Sequence, residues 1–181
     1  VVKFMKDNMN DVRWGKFILM LELQMKTGMR IGEVVSIENK KIDDNNKTRR
    51  IWIRGKGNKE RKIQLLGKHN DKLWKRILDK KAESKDCKYL FHKTKMIFVG
   101  GTGWVETPLK TKDYKTSHTT SHYYAGKFRT MREELGLRGS GIISSHSLRR
   151  YFITQFVKKT GSRDLARQIV GHESTRMTDY Y

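Results

Sequence analysis

The sequence has few cysteines, few acidic residues and no long apolar runs. One cysteine and one proline occur among 181 residues. Cys87 therefore has no partner for a disulfide within the chain, and a zinc site built from several cysteines is excluded. This low cysteine content is typical of a protein of the reducing cytoplasm. Because no run of about 18 apolar residues and no leader pattern occurs, we expect neither a transmembrane helix nor a signal peptide.

The scarcity of acidic residues leaves a large positive charge. Only 19 Asp and Glu stand against 40 Lys and Arg, which gives a formal net charge of +21. Such a charge predicts a polyanionic partner. Nucleic acid is the first candidate, because basic side chains that neutralise phosphates release condensed counterions; a membrane surface is the second. The 36% hydrophobic content is enough for a folded domain rather than a disordered basic tail.

Hydrophobic spacing predicts a mainly α-helical α+β fold with one small antiparallel sheet. Helices are predicted over residues 12–26, from about 30, over 69–86, 121–137, 145–159 and 162–170, and from 174 to 181. Alternation over 49–54 and 61–65, with glycines between them, predicts a β-hairpin. Residues 42–46 are predicted as a polar turn, and 97–99 as extended. Gly100 to Gly103 and Pro108 are predicted to mark a long loop.

A first candidate cluster surrounds Arg30, at the entrance to a helix just after Gly28. The helix macrodipole disfavours an arginine there, so a ligand is one reason for its presence. A guanidinium can grip two phosphate oxygens while Glu33, three residues on, holds it in place. The alternative is a surface arginine in an i,i+3 ion pair.

A second candidate cluster is the basic turn from Gly55 to Lys62. A turn with glycines can push the Lys56 ammonium into a DNA groove, where it can protonate a leaving oxygen. Lys59, Arg61 and Lys62 are candidates for DNA binding. The alternative is a solvated basic turn, which is common for charge runs.

A third candidate cluster lies in the C-terminal part of the chain. His146 and Arg149 share one face of a helix. His172 follows a helix-ending glycine, and a helix capped by Ser174 can bring Tyr181 back towards it.

A metal site is a weaker candidate. His118 and His122 have metal-ligand spacing, but no recognisable motif supplies a third ligand. No metal and no cofactor is therefore expected.

The three clusters form one ordered set along the chain: Arg30, Lys56, His146-Ser147-Leu148-Arg149-Arg150, Gly171-His172 and Tyr181. This set resembles the catalytic domain of the tyrosine recombinase and integrase family, which contains Xer recombinases, phage integrases and Cre. The resemblance implies helices around a three-stranded antiparallel sheet. It also implies that residues 1–181 are the catalytic domain, without the family's N-terminal core-binding domain and C-terminal tail.

The resemblance implies a role for each residue. Arg30 and Arg149 would neutralise the scissile phosphate, His172 would be a further donor, and Tyr181 would be the nucleophile. His146 would accept the tyrosine proton and Lys56 would protonate the departing 5′ oxygen, while Arg150 would contact DNA. The expected partner is double-stranded DNA with a specific site, bound by a homotetramer in the cytoplasm. Two alternatives stay open: a type IB topoisomerase, and a non-catalytic basic DNA-binding module.

Overall fold

The structure, a computed structural model, describes residues 1–45, 48–55, 59–109, 113, 115–137 and 143–171. Seven α-helices and five β-strands lie in these ranges. The helices are α1 (Val2–Asp7), α2 (Val12–Thr27), α3 (Ile31–Val35), α4 (Asp71–Glu83), α5 (Ser121–Glu134), α6 (Ser145–Thr160) and α7 (Arg163–Val170). The strands are β1 (Ile42–Asn45), β2 (Thr48–Arg54), β3 (Glu60–Gln64), β4 (Thr94–Val99) and β5 (Gly103–Pro108).

Helix α2 lies at the centre of the core. The Asp11 carboxylate caps its first turn, and Gly28 ends it in the left-handed conformation with φ of 64°. Phe17 is fully buried, and α2 packs against α3, α4, α6 and β5. Because Gly28 ends the helix sharply, the chain turns at once into the segment that contains Arg30.

The first three strands form an antiparallel sheet in the order β1-β2-β3. Ile42 is opposite Ile51, and Ile51 is opposite Ile63, so a row of buried isoleucines crosses the sheet. Trp52 is exposed on the other face. The predicted α+β fold class, the three-stranded sheet and the hairpin are therefore confirmed.

The prediction of a turn over residues 42–46 is wrong for Ile42–Asn45, which form β1. Asp44 is opposite Arg49 on β2, and it also accepts a hydrogen bond from the Trp74 indole N–H at 2.6 Å. Opposite charges across a strand pair and a satisfied carboxylate stabilise a strand that polar composition alone disfavours.

The prediction of a long loop is also wrong. β4 and β5 form a hairpin with register from Thr94 opposite Pro108 to Val99 opposite Gly103, and the predicted extended segment 97–99 lies in β4. Pro108 is tolerated because it lies at the end of the strand, where its missing N–H removes little of the ladder. This second, two-stranded sheet was not predicted, nor was α1.

Helices α6 and α7 pack on each other around a small separate cluster of Ile153, Ala166 and Val170. Ser162 caps α7 by accepting a hydrogen bond from the Leu165 N–H at 3.2 Å. The helix predictions are confirmed over the described residues; the helix predicted from 174 to 181 lies outside them. This packing places the C-terminal end of α7 beside α2 and α3.

Candidate active site

Arg30 lies at the entrance of α3, next to Glu33. Its backbone N–H donates to Glu33 Oε2 at 2.6 Å, so the carboxylate caps the helix. The Arg30 Nη1 atom lies 3.3 Å from Glu33 Oε1, and 33% of the Arg30 side chain is exposed. The guanidinium is therefore oriented by a buried carboxylate while it still faces solvent.

Arg61 on β3 binds the same carboxylate from the other side. Its Nη2 donates to Glu33 Oε2 at 2.8 Å, and its Nη1 donates to the Ile169 carbonyl of α7. Burial lowers the pKa of the Arg61 guanidinium, whereas Glu33 raises it. An arginine stays charged through such a change, because its ordinary pKa lies far above neutrality.

Arg149 is buried on α6, where it connects two helix ends. Its Nη1 donates to the Gly28 carbonyl at the end of α2, and its Nη2 donates to the Val170 carbonyl at the end of α7 at 2.7 Å. These carbonyls belong to helix ends, whose last carbonyls have no partner within the helix. Arg149 therefore fixes the relative positions of α2, α6 and α7.

An open cavity of about 390 Å³ contains the groups predicted to act on a phosphate. Its lining consists of Gln24, Arg30, Ile31, Gly32, Glu33, Arg54, Gly55, Ser145, His146 and Arg149. The exposed His146 lies in the first turn of α6, whose N-terminus is capped by Ser144. Three arginines and one histidine thus line one cavity, which suits the binding of an anion beside a proton acceptor.

Three predicted catalytic residues, Lys56, His172 and Tyr181, lie outside the described residues. Gly55, which directly precedes Lys56, lines the cavity, and its N–H donates to the Lys59 carbonyl at 2.9 Å. The Gly171 carbonyl, which directly precedes His172, accepts a hydrogen bond from Arg30 Nη2 at 3.5 Å. Gly55 and Gly171 therefore both lie beside the pair formed by Arg30 and Glu33.

The residues predicted to bind DNA differ in exposure. Lys59, Lys62 and Arg150 are exposed, whereas only 16% of the Arg61 side chain is accessible. DNA binding by the first three stays a prediction. For Arg61, both terminal nitrogens are already engaged by Glu33 and the Ile169 carbonyl.

Sequence reasoning missed the inward orientation of Arg61 and the place of Arg54 in the cavity. Strand periodicity contains the signal for Arg61, because residues 61, 63 and 65 share a face and Ile63 and Leu65 are buried. Arg54 directly precedes the glycine turn and pairs with Glu60 at 3.4 Å. The position of Arg54 at the end of β2, next to the glycine turn, is the sequence signal that could have placed it in the cavity.

Within the described ranges, no group of three or more His, Cys, Asp or Glu could hold a metal ion. His118 instead hydrogen-bonds through Nδ1 to the Thr119 carbonyl at 2.7 Å and packs edge-on against Tyr89. None of the described helices has the length and apolar character that a bilayer crossing requires.

Solved structures with the same architecture are recombinases. A XerH site-specific recombinase bound to its difH substrate in a pre-cleavage complex superimposes with a TM-score of 0.69 at 24% identity, covering 98% of this chain and 47% of that one. A lambda integrase fragment, a dimer bound to a COC′ core site, gives a TM-score of 0.68 at 17% identity, covering 99% and 56%. At these identities, the likeness establishes the fold.

The sequence itself matches known proteins over nearly its whole length. Tyrosine recombinase XerD of Agrobacterium fabrum is 27% identical over 163 residues, which cover 90% of this chain and 47% of that protein. The chain thus spans about half the length of this curated relative. The model of the phage integrase family matches residues 2–181. Because this match includes the residues that form the fold and the cavity described above, the chain belongs to the phage integrase family.

Proposed function

We propose that the protein is a site-specific DNA recombinase that cleaves and rejoins strands through a 3′-phosphotyrosyl intermediate. One observation carries the proposal: Arg30 at the entrance of α3 and His146 and Arg149 on α6, which are far apart in the sequence, line one open cavity. The family supports it, since the related XerH and lambda integrase structures are complexes with DNA.

The cavity suits a phosphodiester because a weak nucleophile attacks phosphorus only when the negative charge of the non-bridging oxygens is neutralised. Arg30, whose guanidinium faces solvent, can bind two phosphate oxygens, and the buried Arg149 lines the same cavity and adds a second positive charge there. His172 adds a further donor. The protein supplies this positive charge from its own side chains.

Proton transfers complete the proposed reaction. The Tyr181 hydroxyl, with an ordinary pKa of about 10, loses its proton to His146 as its oxygen attacks phosphorus. The bond to the 5′ oxygen breaks, and Lys56 protonates that leaving group. The phosphotyrosyl bond conserves the energy of the broken phosphodiester, so the 5′ hydroxyl of another strand can attack it and rejoin the DNA without ATP or a metal.

The proposal extends to the assembly. Residues 1–181 form the catalytic domain, the substrate is double-stranded DNA with a defined site, and two sites are brought together by a homotetramer in the cytoplasm. Lys59, Lys62 and Arg150 bind the DNA backbone; all three are exposed.

A nicked duplex tests the function because cleavage beside a nick releases a short fragment and traps the protein on DNA. The target sequence is obtained from a pool of nicked duplexes of randomised sequence, by recovering DNA that stays attached under denaturing conditions. We expect a covalent band that is lost in Tyr181→Phe and kept in Tyr180→Phe. The reverse result would refute the assignment of the nucleophile.

A second measurement separates the enzyme classes. Exchange only between duplexes that contain the recovered sequence supports a recombinase. Relaxation of supercoiled plasmid without such a sequence would instead indicate a type IB topoisomerase, and binding without any covalent band a non-catalytic module.

A further inference from the structure

We propose that Arg61 is a positioning residue, which locks the Arg30 clamp and the C-terminal end of α7 into one arrangement. The inference rests on the proposed function, because it assigns a role beside the same scissile phosphate. It replaces the expectation that Arg61 contacts DNA.

Three consecutive carbonyls at the end of α7 each accept a hydrogen bond from a different arginine. Ile169 accepts from Arg61, Val170 from Arg149, and Gly171 from Arg30. The three arginines come from β3, α6 and the entrance of α3. Because a helix C-terminus is a partial negative charge with unpaired carbonyls, it is a natural anchor for guanidinium groups. The residue that follows these carbonyls is His172.

Arg30 and Arg61 each contact both the carboxylate of Glu33 and the end of α7, and the contact of Arg61 with Glu33 is the shorter one, 2.8 Å against 3.3 Å. The Arg61 Nη2 lies 2.8 Å from Glu33 Oε2, the atom that also accepts the Arg30 N–H at 2.6 Å. Its Nη1 binds the Ile169 carbonyl. A shift of Arg61 would therefore be transmitted to Arg30 and to the segment that begins at His172.

Sharing one carboxylate also affects the charge presented to DNA. A single Glu33–Arg30 pair would be neutral, whereas two guanidinium groups on one carboxylate leave a net positive charge beside the cavity. Arg30, with 33% of its side chain exposed, faces solvent, while Arg61, at 16%, lies behind it. Arg61 thus lets Glu33 orient Arg30 without cancelling its attraction for a phosphate.

Lysine cannot replace Arg61 in this role. Its single ammonium is a point charge, whereas the two terminal nitrogens of arginine reach two acceptors in fixed directions. Arg61 also packs against Gly171, where an added Cβ would lie in van der Waals contact, 3.4 Å from Arg61 Nε. The φ of 68° favours glycine at this position.

The test compares Arg61→Lys with Arg76→Lys as the matched control, because Arg76 on α4 also pairs with a carboxylate, that of Glu22 at 2.5 Å, but does not line the cavity. The probe is the nicked duplex recovered from the randomised pool, in two forms: with a normal scissile phosphate and with a neutral methylphosphonate at that position. We measure DNA affinity and the single-turnover rate of covalent attachment at saturating DNA. Thermal unfolding monitors folding.

With the normal phosphate, we expect Arg61→Lys to slow attachment about 100-fold with unchanged affinity, since small displacements of catalytic groups have effects of that size. Arg76→Lys should leave both the affinity and the saturated rate unchanged. With the methylphosphonate, less charge needs neutralising, so the ratio of wild-type to Arg61→Lys rates should fall towards one. A partly unfolded variant would give the same ratio on both probes.

Several results would overturn the inference. These are an unchanged attachment rate in Arg61→Lys, the same rate ratio on both probes, or a loss of affinity with no loss of saturated rate. Absence of any covalent band with the wild-type protein would instead overturn the proposed function, and the inference with it.

Discussion

Gly28 is the residue at which the packing of the site is tightest. Its φ of 64° is in the left-handed region, and a Cβ there would lie 2.4 Å from Phe152 Cδ1 and 3.0 Å from Val170 Cγ1. Its carbonyl accepts the hydrogen bond of Arg149. Close approach of α2 to α6 and α7 therefore depends on the absence of a side chain here.

Gly28→Ala should consequently destabilise the protein more than Gly161→Ala. Gly161 has a similar φ of 68°, but nothing lies within 4 Å of its added Cβ. We expect a loss of about 1 kcal/mol at Gly161 from backbone conformation alone. At Gly28 we expect about 1–3 kcal/mol more from overpacking. Urea denaturation measures both, and equal losses would contradict the packing argument.

Arg149→Lys should lower both stability and cleavage. Lysine cannot reach the Gly28 and Val170 carbonyls together, so one buried acceptor loses its partner at a cost of about 1–3 kcal/mol. Urea denaturation and the nicked duplex measure the two effects. As a control, Lys158→Arg at an exposed position of the same helix should change neither; full cleavage in Arg149→Lys would exclude Arg149 as a clamp.

At the residue scale, the resemblance to the ordered motif of the family brought Arg30, His146 and Arg149 together in one interpretation, whereas helix spacing alone placed only His146 and Arg149 on a shared face. It was not enough for Arg61. A basic residue among Lys59, Glu60 and Lys62 resembles any solvated charge. Its inward orientation depends on Glu33, which is distant in the sequence and reaches it only through the tertiary fold.

At the scale of elements, the β4–β5 hairpin is fixed to the core by a buried ion cluster. Lys16 of α2 lies 2.8 Å from Glu106 of β5, and Lys80 of α4 lies 3.5 Å from the same carboxylate. Burial raises the pKa of Glu106, but the two lysines outweigh that and lower it to about 2. Burial lowers the pKa of Lys16, with Glu106 opposing the shift.

Acid should therefore loosen the hairpin. The pKa of Glu106 is lower in the folded protein than its ordinary value of 4.5, so its contribution is present above that value and is lost as the pH falls to about 2. We expect the protection of the amides of residues 94–108, measured against their intrinsic exchange rates at each pH, to fall over this range. The Glu106→Gln variant is the control, because it should lack this pH dependence; the same fall in protection in both would contradict the prediction.

Removing the carboxylate at neutral pH should be costly, because it leaves Lys16 charged and buried. We expect Glu106→Gln to lower the free energy of unfolding by about 3–5 kcal/mol. Replacing both partners, Glu106→Gln with Lys16→Met, should recover part of that loss, since no buried charge is left unpaired on α2. Urea denaturation of the two variants measures the difference, and no recovery would show that the pair is not coupled.

Elements with clear hydrophobic periodicity were predicted, and those stabilised by distant partners were not. Helices α2, α4, α5, α6 and α7 follow from their spacing and caps. β1 depends on Arg49 and Trp74, and β5 depends on Lys16, so neither is encoded locally. Polar composition and glycines made both segments resemble loops.

At the scale of the whole molecule, the net charge of +21 divides into two groups. Arg30, Arg149 and Lys56 are proposed to act on one phosphate, and Arg61 to position Arg30, so these contribute to rate. Exposed residues such as Lys62 contribute to affinity along the DNA backbone. A membrane surface would explain the charge but not a cavity lined by Arg30, His146 and Arg149.

This division predicts how salt acts on binding. The logarithm of the DNA association constant should fall linearly with the logarithm of salt concentration, by about 0.9 for each phosphate neutralised. Lys62→Ala should reduce that slope by about 1, because the exposed Lys62 side chain is proposed to neutralise one phosphate of the DNA backbone. Arg61→Met should reduce the slope by less than Lys62→Ala does, since its guanidinium is bound by Glu33 and Ile169 rather than by a phosphate. Binding of a fluorescent duplex at several salt concentrations measures the slope for the wild-type protein and the two variants. Equal slope changes in the two variants would indicate that Arg61 contacts the DNA.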